Sequence, residues 1–381
     1  MNERREKIEA YHPLIDSQET EAVTRALGAG DLIGNGVICR RVEDCIKKSF
    51  NVKYALLTAS CTAALEMAAM SAGIGPGDEV ILPSFTFVST ANCIVLRGAK
   101  PVFAEVQPGT LNIDPDDVVR KITSRTKAII PVHYAGVACE MDRLLSTARE
   151  HNLLVIEDAA QGVDATYKGK YLGTIGDMGC YSFHATKNVT CGEGGAFVTN
   201  SDPLSFKAEI IREKGTNRSA FMRGEVDKYT WVGAGSSYIL SDLLAALLEV
   251  QLNKMKEIKE KRRIIWEYYM KRLKPLGEES LLSLPEVIEG ASPNYHIFFV
   301  LARTSDEQLR MINHLKSHGI PASFHYVPLH SAPYWKNGFK REYDLPVTES
   351  VAGRLVRLPL GAHMTEDQAD FICSKIHEFF R

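Results

Sequence analysis

The chain has 381 residues, of which 45% are hydrophobic and 24% charged, the profile of a soluble globular protein with room for roughly two to three domains. Its 45 Lys and Arg against 47 Asp and Glu give a formal net charge of −2, which excludes a broad electrostatic attraction to nucleic acid or anionic lipid. Any phosphate it binds must be held locally.

The N-terminal stretch MNERREKIEAYHP is charged from its third residue and lacks the apolar run of a secretory signal. Apolar stretches such as 243–248 end at Glu249, far short of the roughly 20 residues that cross a bilayer. The eight cysteines (39, 45, 61, 93, 139, 180, 191 and 373) form no CxxC pair and no Cys/His cluster, so reduced thiols, no metal site and a cytoplasmic location are expected.

In chain order, seven short apolar runs predict strands at 55–57, 79–82, 101–104, 128–131, 153–157, 179–183 and 196–199. Helical patterns at 62–72, 89–97, 115–121 and 141–151 separate them, and this alternation predicts an α/β fold with a mostly parallel sheet. Ser241 is positioned to cap a long amphipathic helix over 243–272. Gly and Pro residues between Pro275 and Pro293 mark a linker. A smaller α+β unit follows, with a strand at 296–301, a helix at 306–318, an extended 325–329 and a closing helix from Thr365. The expected units are thus a large α/β domain over 1–240, a connecting helix and linker over 241–290, and a small domain over 291–381.

The run LLVIEDAAQ (153–161) is an apolar strand ending in a carboxylate, and ligands of open α/β sheets gather at the carboxyl ends of strands. Asp158 therefore stands where a site belongs, although a helix cap or surface ion pair would also use it. The run GCYSFHATKNVTCGEGG (179–195) carries Lys187 from a buried strand through a turn into a glycine cluster. A lysine drawn into such a pocket has a lowered pKa and can bond a carbonyl. Pyridoxal 5′-phosphate needs these parts together: a lysine for its aldehyde, a carboxylate for its ring nitrogen, and donors at a helix start for its phosphate. The turn TASCTAAL (58–65) offers the last of these, as would any ordinary hydroxyl cap.

With EDAAQ, SFHATKN, GEGG and SCTAAL, the segments PSFTFVSTAN (83–92), VHYAG (132–136) and HYVPLH (325–330) resemble the DegT/DnrJ/EryC1/StrS sugar aminotransferases. The resemblance extends from Gly34-Asn35-Gly36 to Leu358-Pro359-Leu360. It implies an aspartate-aminotransferase-like fold with a seven-stranded sheet, pyridoxal 5′-phosphate as cofactor, and a homodimer with shared active sites. It also implies amino transfer from L-glutamate to a nucleotide-linked 4-keto-6-deoxy sugar.

By the same resemblance, Lys187 holds the cofactor and moves the proton, and Asp158 pairs with the ring nitrogen. Gln161 bonds the cofactor's phenolic oxygen, while Ser182, Ser60, Cys61 and Thr62 hold its phosphate. Phe87 matches the stacking aromatic, though it could equally belong to the core. Many relatives carry a Gly-x-Asn-Tyr-Arg segment whose Asn reaches the neighbour's phosphate. This chain has Gly235-Ser236-Ser237-Tyr238-Ile239, with Ser237 in the Asn position. Asn217 and Arg218 are candidates for the substrate phosphates or the neighbouring site, and also fit a plain loop. Tyr326, His330, His184 and His133 are candidates for the mouth of the site.

Other enzyme classes fit less well. Sugar dehydratases of this fold replace the lysine with His, and no GxGxxG opens the first helix as a nicotinamide enzyme would require.

Overall fold

Seven of the chain's apolar runs pair into one sheet. The computed structural model describes residues 8–10, 12–30, 32–339 and 342–381; the first seven residues, where the charged N-terminal stretch begins, lie outside the described residues. The strands are β1 (Tyr54–Thr58), β2 (Glu79–Pro83), β3 (Lys100–Ala104), β4 (Thr126–Ile129), β5 (Leu154–Ala159), a small hairpin of β6 (Thr166–Tyr167) and β7 (Lys170–Tyr171), then β8 (Met178–Ser182) and β9 (Gly195–Thr199). The large sheet runs β1-β9-β8-β5-β4-β2-β3. Every pair from β8 to β3 is parallel, and β9 alone runs against its neighbours β1 and β8. The mostly parallel seven-stranded sheet read from the sequence is therefore present.

This topology decides where chemistry can occur. The carboxyl ends of β1, β2, β5 and β8 share one edge of the sheet, and β9 starts there, with Gly195 paired to both Thr58 and Ser182. The helix Cys61–Ser71, which follows β1, has no polar face. Its sequence CTAALEMAAMS is buried almost all round, between the sheet and the helices at 88–95 and 202–212, as an apolar helix must be.

Three expectations shift. The helix predicted over 243–272 is two helices, Asp242–Asn253 and Met255–Glu278, that meet at Lys254. The Lys254 ammonium is held by Glu19 at 2.8 Å and Asp16 at 2.7 Å, fixing the chain at the bend. The second helix passes through Pro275 because the buried stripe of Leu273 and Leu276 continues beyond it, so helix occupies the start of the predicted linker. The extended stretch 325–329 is not a strand; it crosses to the large sheet, where the Leu329 amide donates to the Ser84 carbonyl at 2.9 Å.

After β10 (Ala291–Ser292), which pairs with β6, come β11 (Phe298–Leu301) and β12 (Leu355–Leu358), an antiparallel pair. The helices Ser305–Ser317 and Glu366–Phe379 are capped by the Thr304 and Thr365 side chains, and pack with β11 and β12 in a second core around Phe298, Val300, Leu315 and Ile372. Among the described residues, no helix is long and apolar enough to cross a membrane.

One buried carboxylate joins the helix Val37–Phe50 to the rest. Asp242 accepts the backbone amides of Gly36, Ile38 and Cys39 at 3.1, 3.0 and 2.9 Å, satisfying the start of helix Val37–Phe50, which has no side-chain cap of its own. Asp242→Ala is expected to lower stability to urea by roughly 2–4 kcal/mol, since it orphans three buried donors; equilibrium unfolding followed by circular dichroism measures it.

Candidate active site

Along β5 successive side chains point to opposite faces of the sheet. Glu157 turns away from the carboxyl edge's cavity and Asp158 turns into it. Glu157 is satisfied by the amides of Gly173, Ile175 and Gly176 at 2.8, 2.7 and 2.6 Å and by His133 Nε2 at 2.8 Å. Asp158 accepts from the Thr90 hydroxyl at 2.8 Å and the Ala160 amide at 3.1 Å. Burial raises its pKa, opposed by these two bonds and by the charge of Lys187. A cationic group in front of Asp158 would restore its ionised form.

Lys187 lies in the turn after β8, its amide donating to the His184 carbonyl at 2.9 Å. Its amine lines the same cavity as Asp158. Burial pushes its pKa below the ordinary lysine value, against the pull of Cys61 and Asp158 and with help from the Arg357 charge. A lysine so placed offers a neutral nucleophile and base.

The cavity has a volume of about 350 Å³. On one side, Ser60 caps helix Cys61–Ser71, accepting from the Ala63 amide at 3.1 Å. The preceding amides, of Cys61 and Thr62, have no intrahelical carbonyl to bond. Thr62 and Ser89 hydroxyls lie 2.7 Å apart, and Ser182 and Gly194 complete this wall. A Cβ on Gly195 would collide with the Ser60–Cys61 backbone, so glycine there is what lets β9 close beside the helix start. Free amides, hydroxyls and the positive end of a helix form a site for a phosphate.

The opposite wall is aromatic. Gln161 accepts from the Ala135 amide at 2.7 Å and donates to the Tyr326 hydroxyl at 3.2 Å. His325 stacks on Tyr326, with centroids 4.2 Å apart and planes at 12°. Phe87 sits at the mouth and is 58% exposed, which favours a stacking surface over a core role.

Ser60, Cys61, Thr62, Phe87, Asp158, Gln161, Ser182, His184, Lys187 and Tyr326 thus meet in one cavity. Five other candidates lie outside this chain's cavity. His330, expected at the mouth, instead accepts from the Ser84 hydroxyl at 2.7 Å and donates to Glu349 at 3.2 Å, because Leu329 anchors its segment to the end of β2. His133 is consumed by Glu157. Ser237 pairs its backbone with Glu213, Arg218 lies 3.5 Å from Glu213, and Asn217 accepts the Thr230 amide at 2.7 Å. Thr90, His296, His325 and Arg357 are site residues or supports that the sequence reading passed over. Thr90 and His325 lie inside motifs already singled out, and Arg357 adjoins Leu358-Pro359-Leu360, so position within a motif was the available signal.

This donor set fits pyridoxal 5′-phosphate: an amine and a buried carboxylate lining one cavity, the carboxylate with no ion-pair partner among the described residues, beside a free helix start. The fold and site define a pyridoxal-phosphate-dependent aminotransferase. Residues 13–377 match the model of the DegT/DnrJ/EryC1/StrS aminotransferase family. The chain is 35% identical over 377 residues to the spore coat polysaccharide biosynthesis protein SpsC of Bacillus subtilis, covering 97% of this chain and 96% of SpsC. Among solved structures, the aminotransferase TlmJ from Streptoalloteichus hindustanus superposes with a TM-score of 0.91 at 28% identity, over 98% of this chain and 99% of that one. Spr1654 from Streptococcus pneumoniae, in its PLP form, superposes with a TM-score of 0.89 at 26% identity, over 98% of both chains. The protein belongs to the DegT/DnrJ/EryC1/StrS family and is a sugar aminotransferase with pyridoxal 5′-phosphate as cofactor.

The cavity's histidines make acid sensitivity predictable. Burial, with the Arg357 and Lys187 charges, pushes the pKa of His325 down to about 3, and burial pushes that of His296 well below its usual value. Unfolded, both would take up a proton near pH 6.5. Their neutral burial is therefore free of cost above that pH and destabilises the fold increasingly as pH falls below it. Urea unfolding should lose up to about 1.4 kcal/mol per pH unit for each such group, and His325→Asn should show a shallower decline.

Proposed function

We propose that the protein transfers the amino group of L-glutamate to C4 of dTDP-4-dehydro-6-deoxy-D-glucose, giving dTDP-4-amino-4,6-dideoxy-D-galactose and 2-oxoglutarate. The single observation that carries the aminotransfer chemistry is Lys187 and Asp158 facing one cavity beside a free helix start. The substrate rests on the stretches REKGTNRSAF (212–221) and VDKYTW (226–231), which resemble dTDP-4-amino-4,6-dideoxygalactose transaminase. The relative SpsC is named for spore coat polysaccharide biosynthesis, which agrees with a role in making cell-surface polysaccharide, such as lipopolysaccharide or enterobacterial common antigen. The gluco-configured epimer and a sugar 3-aminotransferase are the rival outcomes.

When bound, pyridoxal 5′-phosphate supplies an electron sink for the bonding pair of the substrate C–H. Lys187 would hold the cofactor through its neutral amine, and once free that amine would serve as the base for the proton on the glutamate Cα. In the second half the same amine would deliver a proton to the sugar C4. Asp158, fixed by Thr90 and the Ala160 amide, holds the ring nitrogen protonated. Gln161, oriented by the Ala135 amide, presents its Nε2 to the phenolic oxygen. The Cys61 and Thr62 amides with Ser60 and Ser182 would hold the phosphate, and Phe87, at the cavity mouth, would stack on the ring.

A homodimer completes this proposal. The stretch carrying Phe221, Met222, Tyr229 and Trp231 is exposed, Trp231 by 78%, and apolar surface of this kind marks an interface. Ser237, Asn217 and Arg218 stand on or beside it, and on this reading they would reach the partner's site and its nucleotide diphosphate. A cytoplasmic location suits substrates made by soluble metabolism.

Borohydride reduction of holoenzyme and peptide mapping should find the cofactor on Lys187, and Lys187→Ala should lose that linkage. Asp158→Ala is expected to retain some cofactor while turnover falls by at least about 100-fold, a loss on the scale of general acid–base and electrostatic contributions. Incubation with dTDP-4-keto-6-deoxyglucose and glutamate, with the product read by NMR, decides position and configuration. An equatorial C4 amine or a C3 amine would replace the galacto assignment.

A further inference from the structure

We propose that His314, His318 and Glu378 form a site for a borderline divalent cation such as Zn²⁺, which ties the chain's last helix to the second core.

None of the three lines the active-site cavity, so the site is independent of the aminotransfer reading. His314 lies in the last turn of helix Ser305–Ser317 and His318 stands at its C-terminal cap, four residues on and therefore on the same face. Their rings pack with centroids 4.6 Å apart. Glu378 comes from the last turn of helix Glu366–Phe379, which packs against the first. One ring nitrogen of each histidine and one carboxylate oxygen of Glu378 lie within 4.8 Å of one another. Both helices end here, and the negative poles of their dipoles favour a cation.

Hydrogen bonds to backbone carbonyls prepare both imidazoles for coordination. A carbonyl can only accept, so His314 Nε2 donates to the Lys375 carbonyl at 2.9 Å and His318 Nδ1 to the His314 carbonyl at 2.8 Å. Each ring keeps its lone pair on the other nitrogen, Nδ1 in His314 and Nε2 in His318. Metal-binding histidines are held in this way, the second nitrogen bonded to a carbonyl or carboxylate.

The carboxylate is shared between two cations' worth of space. Glu378 Oε2 holds Lys375 Nζ at 2.6 Å, which keeps the side chain beside the rings and leaves Oε1 to face them. Oε1 stands 3.8 Å from His318 Nε2, too far for a hydrogen bond. That gap needs to close only to roughly 3.3 Å, the spacing of two ligands around a tetrahedral Zn²⁺ with bonds of about 2.0–2.1 Å. Glu378 is exposed, so its side chain is free to make that adjustment and water can fill the remaining position. Two imidazole nitrogens and one carboxylate oxygen select Zn²⁺ over Mg²⁺ and Ca²⁺, which take oxygen ligands. The eight cysteines play no part in such a site, and its third ligand comes from a separate helix.

The test uses untagged holoenzyme, freed of metal with a chelator and titrated with Zn²⁺ by calorimetry. One saturable site of this kind per chain is expected, and excess Mg²⁺ should not compete for it. His318→Asn and Glu378→Gln should each weaken it by at least about 10-fold, the scale on which even the outer partners of metal ligands act. Lys375→Gln, which removes the competing cation from Glu378, should tighten it. Because a ligand that binds only the folded state stabilises it, Zn²⁺ should raise the urea midpoint of wild-type holoenzyme and leave that of His318→Asn unmoved. No saturable Zn²⁺ site, or Zn²⁺ binding undiminished in His318→Asn and Glu378→Gln, overturns the assignment and leaves His318 and Glu378 a simple ion pair. A wild-type midpoint that Zn²⁺ does not move, or a Lys375→Gln variant that binds no more tightly than wild type, overturns it equally.

Discussion

Two carboxylates buried side by side at the end of one apolar strand constrain everything around them. Taking an ionised group out of water costs several kcal/mol unless it is hydrogen-bonded or paired, and β5 does this twice in succession. The protein treats the two residues differently. Glu157 is saturated by three loop amides and a histidine, and the loop can approach that closely because residues 173, 176 and 179 are glycines: a Cβ at Gly179 would meet the Gly173 backbone. Asp158 is left short of a counter-charge, with one hydroxyl and one amide. One is structural because it is satisfied; the other is available because it is not.

That difference organises the cavity. Burial raises the pKa of Asp158 and lowers that of Lys187, so the site suits a cationic group in front of the carboxylate. The free helix start at Cys61 and Thr62 lies across from them because β1 and β8 flank β9 and end at the same edge. The second core contributes Arg357 from β12 and, through the crossing segment, His325 and Tyr326, giving an aromatic and cationic wall opposite the phosphate cradle. Each wall is built from a different part of the chain, and neither is complete without the other.

Much of this was legible in sequence. The strand period, the glycine and hydroxyl punctuation, and the motifs around Asp158, Lys187 and Ser60 report local conformation, which neighbouring residues largely decide. The failures were of another kind. Lys254 interrupts a helix because Glu19 and Asp16, more than 200 residues away, seize its ammonium. Pro275 fails to end the next helix because burial of Leu273 and Leu276 outweighs its local cost. His330 looked like a mouth residue by its place in HYVPLH, yet a single backbone bond from Leu329 to Ser84 turns it away from the cavity.

By itself, then, the sequence determined the α/β alternation, the strand that ends in Asp158, the turn that carries Lys187 and the hydroxyl-rich helix start, since each is encoded within a few adjacent residues. Only the tertiary structure decided which candidates share a cavity, that Thr90 supports Asp158, that His325 is held neutral, and that Arg357 lines the same cavity as Lys187. Pairing, burial and the loss of solvent depend on residues far apart in the chain, and no local pattern records them.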